Sequence, residues 1–463
     1  MILFKPGGHR LFETDDETTK VVSEMLKDLE SNGMDAVRRY SSKFDEWNPE
    51  SFELSEAQII EAISRLPEQA IADIDYCQSN VRAFAKAQFE TMKPLETEIR
   101  PGVVLGHKHI PVGSVGSYIP GGRYPMFGSA QMSIIPAKVA GVKTVVACTP
   151  PTQAFREGVQ PPPERGNVGK GQKGVGEGVV PSPPGMTQGV VPPPRWYPAT
   201  INAIKKAGAD RIFVLGGVPA LAMMAFGIGD VEPVDILCGA GNKYVTEAKR
   251  QLFGRCGIDL LAGPTEILVL ADDDAEPALV ACDLLGQAEH DPNSGICLIT
   301  LSEDFARRTV AELEKQLAVL PTRDVASISW ANNGIVQIAE SPEEAVALSD
   351  GYAPEHLELH VSDRDFYFER LTNYGSLFIG EETTVAYGDK CIGTNHILPT
   401  SRAARYTGGV WVGKFLKTCT YQHMTPAASR EIGEVTERQC NLEHMLAHGI
   451  TAKVRVERYG SKL

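Results

Sequence analysis

No stretch of the chain comes near the roughly 20 consecutive apolar residues that a membrane-spanning helix needs, although 43% of its 463 residues are apolar. The opening residues, Met1 to Gly8, lack a basic segment followed by an apolar one, so no secretory signal is expected. None of the nine cysteines stands in a C-x-x-C pair. An odd, scattered set reads as reduced thiols in a cytoplasmic protein, not as a disulfide framework. Positive charge is also in short supply. Acidic residues outnumber basic ones 59 to 45, a formal charge of −14, which argues against a polyanion such as nucleic acid as partner. A soluble cytoplasmic protein with neither a nucleic-acid nor a membrane partner is the expectation, and its length suits two domains.

Periodicity divides the chain further. Residues 15 to about 95 read as helices, with a cap in Thr14-Asp15-Asp16-Glu17 and apolar positions at Val21, Val22, Met25, Leu26 and Leu29. From Val103 the pattern turns to short apolar strands alternating with helices: strands near Val103, Val115, Thr144, Arg211 and Val234, then a second series from Glu266 through Ile296, Ile335 and Leu357. Such alternation predicts an α/β protein with two helix-covered parallel sheets. Residues 153–196 break the pattern. They are rich in Pro and Gly and read as a disordered insertion, or equally as translated intron sequence. Gly169-Lys170-Gly171-Gln172-Lys173-Gly174 within them spells G-x-G-x-x-G but lacks the flanking strand and helix that a dinucleotide loop requires.

Four clusters carry chemistry. Gln287 and His290 are three apart, so on one helix they leave the same face within about 60° and can supply half a metal site or an ordinary polar face. Pro354-Glu355-His356 sets an acid beside an imidazole on a loop, a general-base pair or two surface polar residues. Asp389 and His396 lie in a Gly-punctuated loop, as an oxygen ligand and a substrate contact or as turn residues. Glu443 and His448, five apart on an expected C-terminal helix, diverge by about 140° and can border one wide cleft. Together Gln287, His290, Asp389 and His448 make an N/O donor set that suits zinc. The turn Gly239-Ala240-Gly241-Asn242, between a strand and a helix, suits an anion at a helix N-terminus, and Tyr118-Ile119-Pro120-Gly121-Gly122 is a similar exit.

These residues resemble the histidinol dehydrogenase family over about 20–455, the insertion apart. The motifs that carry the resemblance are Tyr118-Ile119-Pro120-Gly121-Gly122, Ile135-Pro136-Ala137-Lys138-Val139-Ala140-Gly141, Gly241-Asn242-Lys243-Tyr244-Val245 and Gly257-Ile258-Asp259. To these are added Ala262-Gly263-Pro264-Thr265-Glu266, Gln287-Ala288-Glu289-His290, Ala353-Pro354-Glu355-His356-Leu357, and Gly393-Thr394-Asn395-His396 followed by Leu398-Pro399-Thr400. The resemblance implies a homodimer with one zinc per subunit that uses two NAD to oxidise an alcohol through an aldehyde to a carboxylate. It implies two related, incomplete Rossmann-like parallel-sheet domains with helical terminal segments. The expected boundaries are an N-terminal segment 1–21, a discontinuous domain of 22–117 with 268–410, a second domain 118–267 carrying the insertion, and a helical dimerisation segment 411–463. By motif, Gln287, His290, Asp389 and His448 match zinc ligands, Glu355 and His356 the acid–base pair, and Tyr118 and Asn242 NAD contacts. Thr265, His396 and Glu443 match substrate-side positions, with Gln287, His290, His356, Asp389 and His448 bordering the substrate too. The C-terminal segment is expected to cross to the partner, so that Glu443 and His448 complete the other protomer's site.

Within the family the details look closer to the sulfopropanediol dehydrogenase branch. Arg123-Tyr124-Pro125-Met126, the run Tyr387 to Lys390, and Ala404 to Lys414 resemble that branch, and histidinol enzymes carry Asp where Lys414 stands and Ser where Thr265 stands. Arg123, Lys390, Arg405 and Lys414 either raise the local positive potential, which suits an anionic sulfonate, or are solvated surface cations. Pro219 replaces a Gln that normally contacts NAD and removes a backbone donor. Three readings follow: a zinc- and NAD-dependent dehydrogenase of a sulfonated diol, a histidinol dehydrogenase, and a catalytically silent member acting by binding alone.

Overall fold

Two parallel sheets with helices on both faces make up most of the computed structural model, which describes residues 2–5, 15–121, 124–152 and 196–460. Residues 153–195 of the insertion, with the G-x-G-x-x-G spelling, fall outside the described residues, as do Gly122 and Arg123. The first sheet has five parallel strands in the order Arg211–Val214, Thr144–Thr149, Ser114–Tyr118, Ile236–Cys238 and Gly257–Ile258. Period-two alternation splits its side chains between two cores. Val115, Val145, Ala147, Ile212 and Val214 face the helices Glu56–Ser64, Glu68–Glu90, Gly128–Ala140 and Pro198–Ala207. Tyr118, Val146, Cys148, Phe213 and Leu237 face Asp16–Asp45, Gly217–Phe226 and Lys243–Leu252.

The second sheet runs Ile2–Lys5, Gly334–Ile338, Gly295–Thr300, Glu266–Ala271, His356–His360 and Ser376–Ile379. It is parallel except for the first strand, which pairs antiparallel with the second. Leu268, Leu270, Leu357 and Leu359 face one core. Ile267, Val269, Ile296 and Leu298 face the other, beneath the helix Pro277–Ala288. On the strand His356–His360 the even positions therefore look toward that helix. Each fully buried Leu or Ile contributes roughly 1.5–3 kcal/mol to this arrangement. A third, antiparallel sheet joins Leu416–Met424, Val103–Pro111 and Leu95–Arg100, and the chain ends in two helices, Pro426–Leu442 and Leu446–Gly460, packed on each other.

The helices of residues 16–90 pack on the five-stranded sheet, where the stripe Val22, Met25, Leu26 and Leu29 meets the apolar face of that sheet and of Gly217–Phe226. The last of them also reaches the other unit, Asn80 Nδ2 donating to the Cys391 carbonyl at 2.9 Å. One sequence expectation is corrected here: Glu443 and His448 do not share a helix. Glu443 ends the first helix, His444 turns the chain with φ +58°, and His448 lies in the next helix.

Candidate active site

The amino edge of the six-stranded sheet brings the expected chemistry together. Glu266 opens one strand and His356 opens its neighbour, in a register that sets His356 opposite Ile267. The His356 ring donates from Nδ1 to the Glu266 carbonyl at 2.9 Å. That bond fixes its proton on Nδ1 and leaves Nε2 as a lone pair. Nε2 is buried, has no hydrogen-bond partner among the described residues, and lies 3.9 Å from Asp389 Oδ1. An orphaned nitrogen in a buried ring is costly for stability, and this one is free to take a proton.

Glu355 beside it is held by a relay. Its Oε2 accepts from the Thr265 hydroxyl and from the Glu266 N–H at 3.0 Å, and the Thr265 Oγ1 accepts in turn from the Gln287 amide. Burial raises the Glu355 carboxyl, while the neighbouring His356 and these two donors oppose the rise. Gln287 spends its amide N–H on Thr265, so its oxygen stays free to ligate. The helix ends at Ala288, so His290 does not continue it as the spacing predicts. A tight turn, His290 N–H to Gln287 O at 3.3 Å, returns it to the same side. Burial lowers the His290 pKa and Asp389 opposes that, which favours the neutral, ligating imidazole.

Asp389 sits in the helix Val385–Lys390, buried, with no side-chain hydrogen bond to its carboxylate among the described residues and the Lys390 ammonium 3.9 Å away. His396 lies against it but is saturated, Nδ1 donating to the Asp389 carbonyl and Nε2 accepting from Ser129 Oγ, both at 3.0 Å. As a substrate contact it must give up the Ser129 bond. Ser129 itself was not anticipated; it opens a helix of the other sheet's unit and no sequence motif points to it.

Glu266 was also missed. It is buried, accepts from the Ser401 N–H at 3.0 Å, and is pushed up to about 8 by burial and the Glu355 charge. The signal was present: an acid opening an otherwise wholly apolar strand.

The expected cofactor residues sit at the carboxyl edge of the five-stranded sheet. The Tyr118 hydroxyl accepts from Gly217 N–H at 3.1 Å, and burial pushes its pKa up to about 12. Asn242 caps the helix Lys243–Leu252 through Oδ1, to Tyr244 and Val245 N–H, leaving its amide N–H free. The preceding turn is clamped. The buried pair Lys249 and Asp259 holds Gly239 by both backbone groups, its carbonyl taking Lys249 Nζ and its N–H reaching Asp259 Oδ2, each at 2.8 Å. Pro219 sits in the first turn of Gly217–Phe226, where an N–H has no partner within the helix. The fold therefore loses nothing by it.

Glu443 and His448 are exposed and far along the C-terminal helices, with no bond to any residue above. Arg405 is exposed, and Lys414 lines a cavity of about 490 Å³ with Trp411, Tyr406 and Phe84. Arg123 lies outside the described residues. Among the described residues, the cluster of three His, Cys, Asp or Glu donors within 4.8 Å of one another is Asp283, Glu358 and His360, a different set from the expected ligands.

The family model for histidinol dehydrogenase matches residues 9–161 and 172–456. A histidinol dehydrogenase homolog of Shouchella clausii is 48% identical over 97% of both chains. The sulfopropanediol 3-dehydrogenase of Ruegeria pomeroyi is 41% identical over 96% of this chain and 93% of its own. The histidinol dehydrogenase of Methanosarcina barkeri is 36% identical over 95% and 92%. The crystal structure of histidinol dehydrogenase from Elizabethkingia anophelis superposes with a TM-score of 0.85 at 30% identity, covering 98% of this chain and 95% of that one.

Proposed function

The chain belongs to the histidinol dehydrogenase family, and on that premise we propose that it oxidises a sulfonated diol, through the aldehyde, to the carboxylate. Balanced, one alcohol, one water and two NAD⁺ give one carboxylate, two NADH and three protons. The observation that carries the reading is the bare, buried Nε2 of His356 beside the Glu355 relay.

His356 Nε2 takes the proton of the alcohol, and the Glu266 carbonyl holds the tautomer and stabilises the imidazolium that forms. In the second half Glu355 takes a proton from water as the water adds to the aldehyde. The Thr265 and Glu266 donors favour the ionised carboxylate and oppose the upward push of burial. Gln287, His290 and Asp389 would hold the zinc, and the donor set fits: a free amide oxygen, a neutral imidazole and an unbonded carboxylate. Zinc held there would supply a fixed positive charge for the substrate oxygen, and bound NAD would serve as the hydride acceptor. The Gly239–Asn242 turn, with its free Asn242 amide, would receive the cofactor, with Tyr118 beneath it.

The fourth ligand, His448, and the substrate-side Glu443 would come from a second copy in a homodimer. Supporting this, both are exposed on a helical hairpin that also exposes Leu442 (76%), Leu446 (62%) and Ile450 (59%), more apolar surface than a free helix pair leaves to water. The sulfonate is supported by the Lys390 ammonium beside Asp389 and by the 41% relative. Histidinol is the second reading, favoured by Glu443, which suits a cationic substrate. NADH formation by zinc-loaded protein offered 2,3-dihydroxypropane-1-sulfonate and L-histidinol in parallel decides between them. Turnover of the sulfonate is expected, turnover of histidinol alone would assign the second reading, and silence on both with NAD bound would refute each.

A further inference from the structure

Below the catalytic pair lies a second polar cluster that the reaction does not use. His356, Glu358 and His360 share one face of their strand, and Asp283 lies one turn before Gln287 on the facing helix. Glu358 and His360 are 0% and 2% exposed. Glu358 Oε2 and both ring nitrogens of His360 have no hydrogen-bond partner among the described residues. They converge: His360 Nε2 is 3.4 Å from Glu358 Oε2 and 4.0 Å from Asp283 Oδ2. Neither carboxylate has a Lys or Arg partner among the described residues. Two carboxylates drawn together in a dry interior need a proton or a cation between them, and Asp283 Oδ2, Glu358 Oε2 and His360 Nε2 converge on one point that a cation fits.

We propose that Asp283, Glu358 and His360 bind a second divalent transition ion, of the Zn²⁺ or Mn²⁺ class, that staples the catalytic elements together. Two carboxylates and one imidazole suit these ions and fall short of the six or more oxygens that Ca²⁺ takes. Asp283, 17% exposed, supplies the way in. The other carboxylate oxygens already hold the neighbouring helix. Glu358 Oε1 accepts from the Val385 N–H and Asp283 Oδ1 from the Thr384 hydroxyl, both at 2.8 Å. The ion therefore joins the helix that carries Gln287, the strand that opens with His356, and the helix that carries Asp389. Two residues advance a strand by roughly 7 Å and four advance a helix by roughly 6 Å, so the ion sits one step inward from the catalytic centre.

The test is metal stoichiometry of the full chain, stripped by chelator, reloaded with Zn²⁺ and desalted, read by mass spectrometry. Wild type is expected to retain two Zn²⁺ per chain, and Asp283→Asn and His360→Ala one each. Circular dichroism checks that the variants fold, and Asp283→Asn, the milder change, stands if His360→Ala does not. Asp389→Asn separates the sites: it leaves the inner ion and removes the outer one. A single wild-type ion lost in Asp389→Asn and kept in Asp283→Asn overturns the proposal. A single ion lost in Asp283→Asn and kept in Asp389→Asn supports it and moves the resident metal inward.

Discussion

Replacing Glu266 by Gln tests the electrostatics of the site most directly. The Glu266 carboxyl is pushed up to about 8 from its ordinary 4.5, first by burial and then by the Glu355 charge. The folded protein therefore holds a proton there between pH 4.5 and 8 that the unfolded chain has released. Stability from this group is greatest below pH 4.5, falls as pH rises through that window, and is flat above 8. Some 3.5 units at about 1.4 kcal/mol each makes the penalty on the order of 5 kcal/mol at pH 8.5. Glu266→Gln is nearly isosteric, keeps an acceptor for the Ser401 N–H, and never ionises. Unfolding of a two-domain chain is not one two-state step, so the assay is the midpoint of the thermal transition for variant and wild type at pH 5, 6.5 and 8.5. At roughly 2–4 °C per kcal/mol for a domain of this size, the variant should match wild type at pH 5 and exceed it by about 10 °C or more at pH 8.5. A difference that does not change with pH would refute the assignment of a buried, proton-holding Glu266.

Three further outcomes are expected. His356→Gln keeps the bulk of the ring but offers no basic nitrogen, so kcat should fall about 10²–10⁴-fold while NAD affinity, followed by fluorescence titration, stays put; normal turnover would remove His356 as the base. Thr265→Val cuts both the Gln287 and Glu355 bonds, and oxidation of supplied aldehyde should fall by about 10–100-fold, roughly 1.4–2.7 kcal/mol, while Thr265→Ser stays active; equal loss in both would mean the hydroxyl is not what matters. Lys249→Met strands Asp259 as a buried charge, a cost of about 3–5 kcal/mol visible in the thermal midpoint, with a raised KM for NAD as the Gly239 turn loosens; an unchanged midpoint and KM would show the clamp is idle.

The alternation of short apolar strands with helices made both parallel sheets readable from the sequence, because a strand buried on both faces must be apolar throughout. Glu355, His356, Gln287 and Asp389 were readable as motifs, and the structure gathers them at one sheet edge. What pairs with what was less accessible. That residues 16–90 cover the five-stranded sheet depends on shape complementarity between faces far apart in the chain, which hydrophobic periodicity does not encode. The helix break at Glu443–His444 was hidden because no Gly or Pro marks it; a His with φ +58° does the turning. Asp283, Glu358 and His360 were not legible as a cluster because Asp283 is 75 or more residues from the other two, and each alone looks like a polar residue in an apolar element.

The order of the sheets along the chain also has a consequence for synthesis. Every strand of the five-stranded sheet lies within residues 114–258, and the helices that cover it come from 16–252. The other sheet is not complete until Ile379 has been made, and its edge strand Ile2–Lys5 must wait for Gly334–Ile338. At about 5–20 residues per second on the ribosome, the 120 or so intervening residues take roughly 6–24 s. The unit of the five-stranded sheet thus has time to close while the six-stranded sheet is still being translated. Ile2–Lys5, made before every other strand, is among the last to find its place.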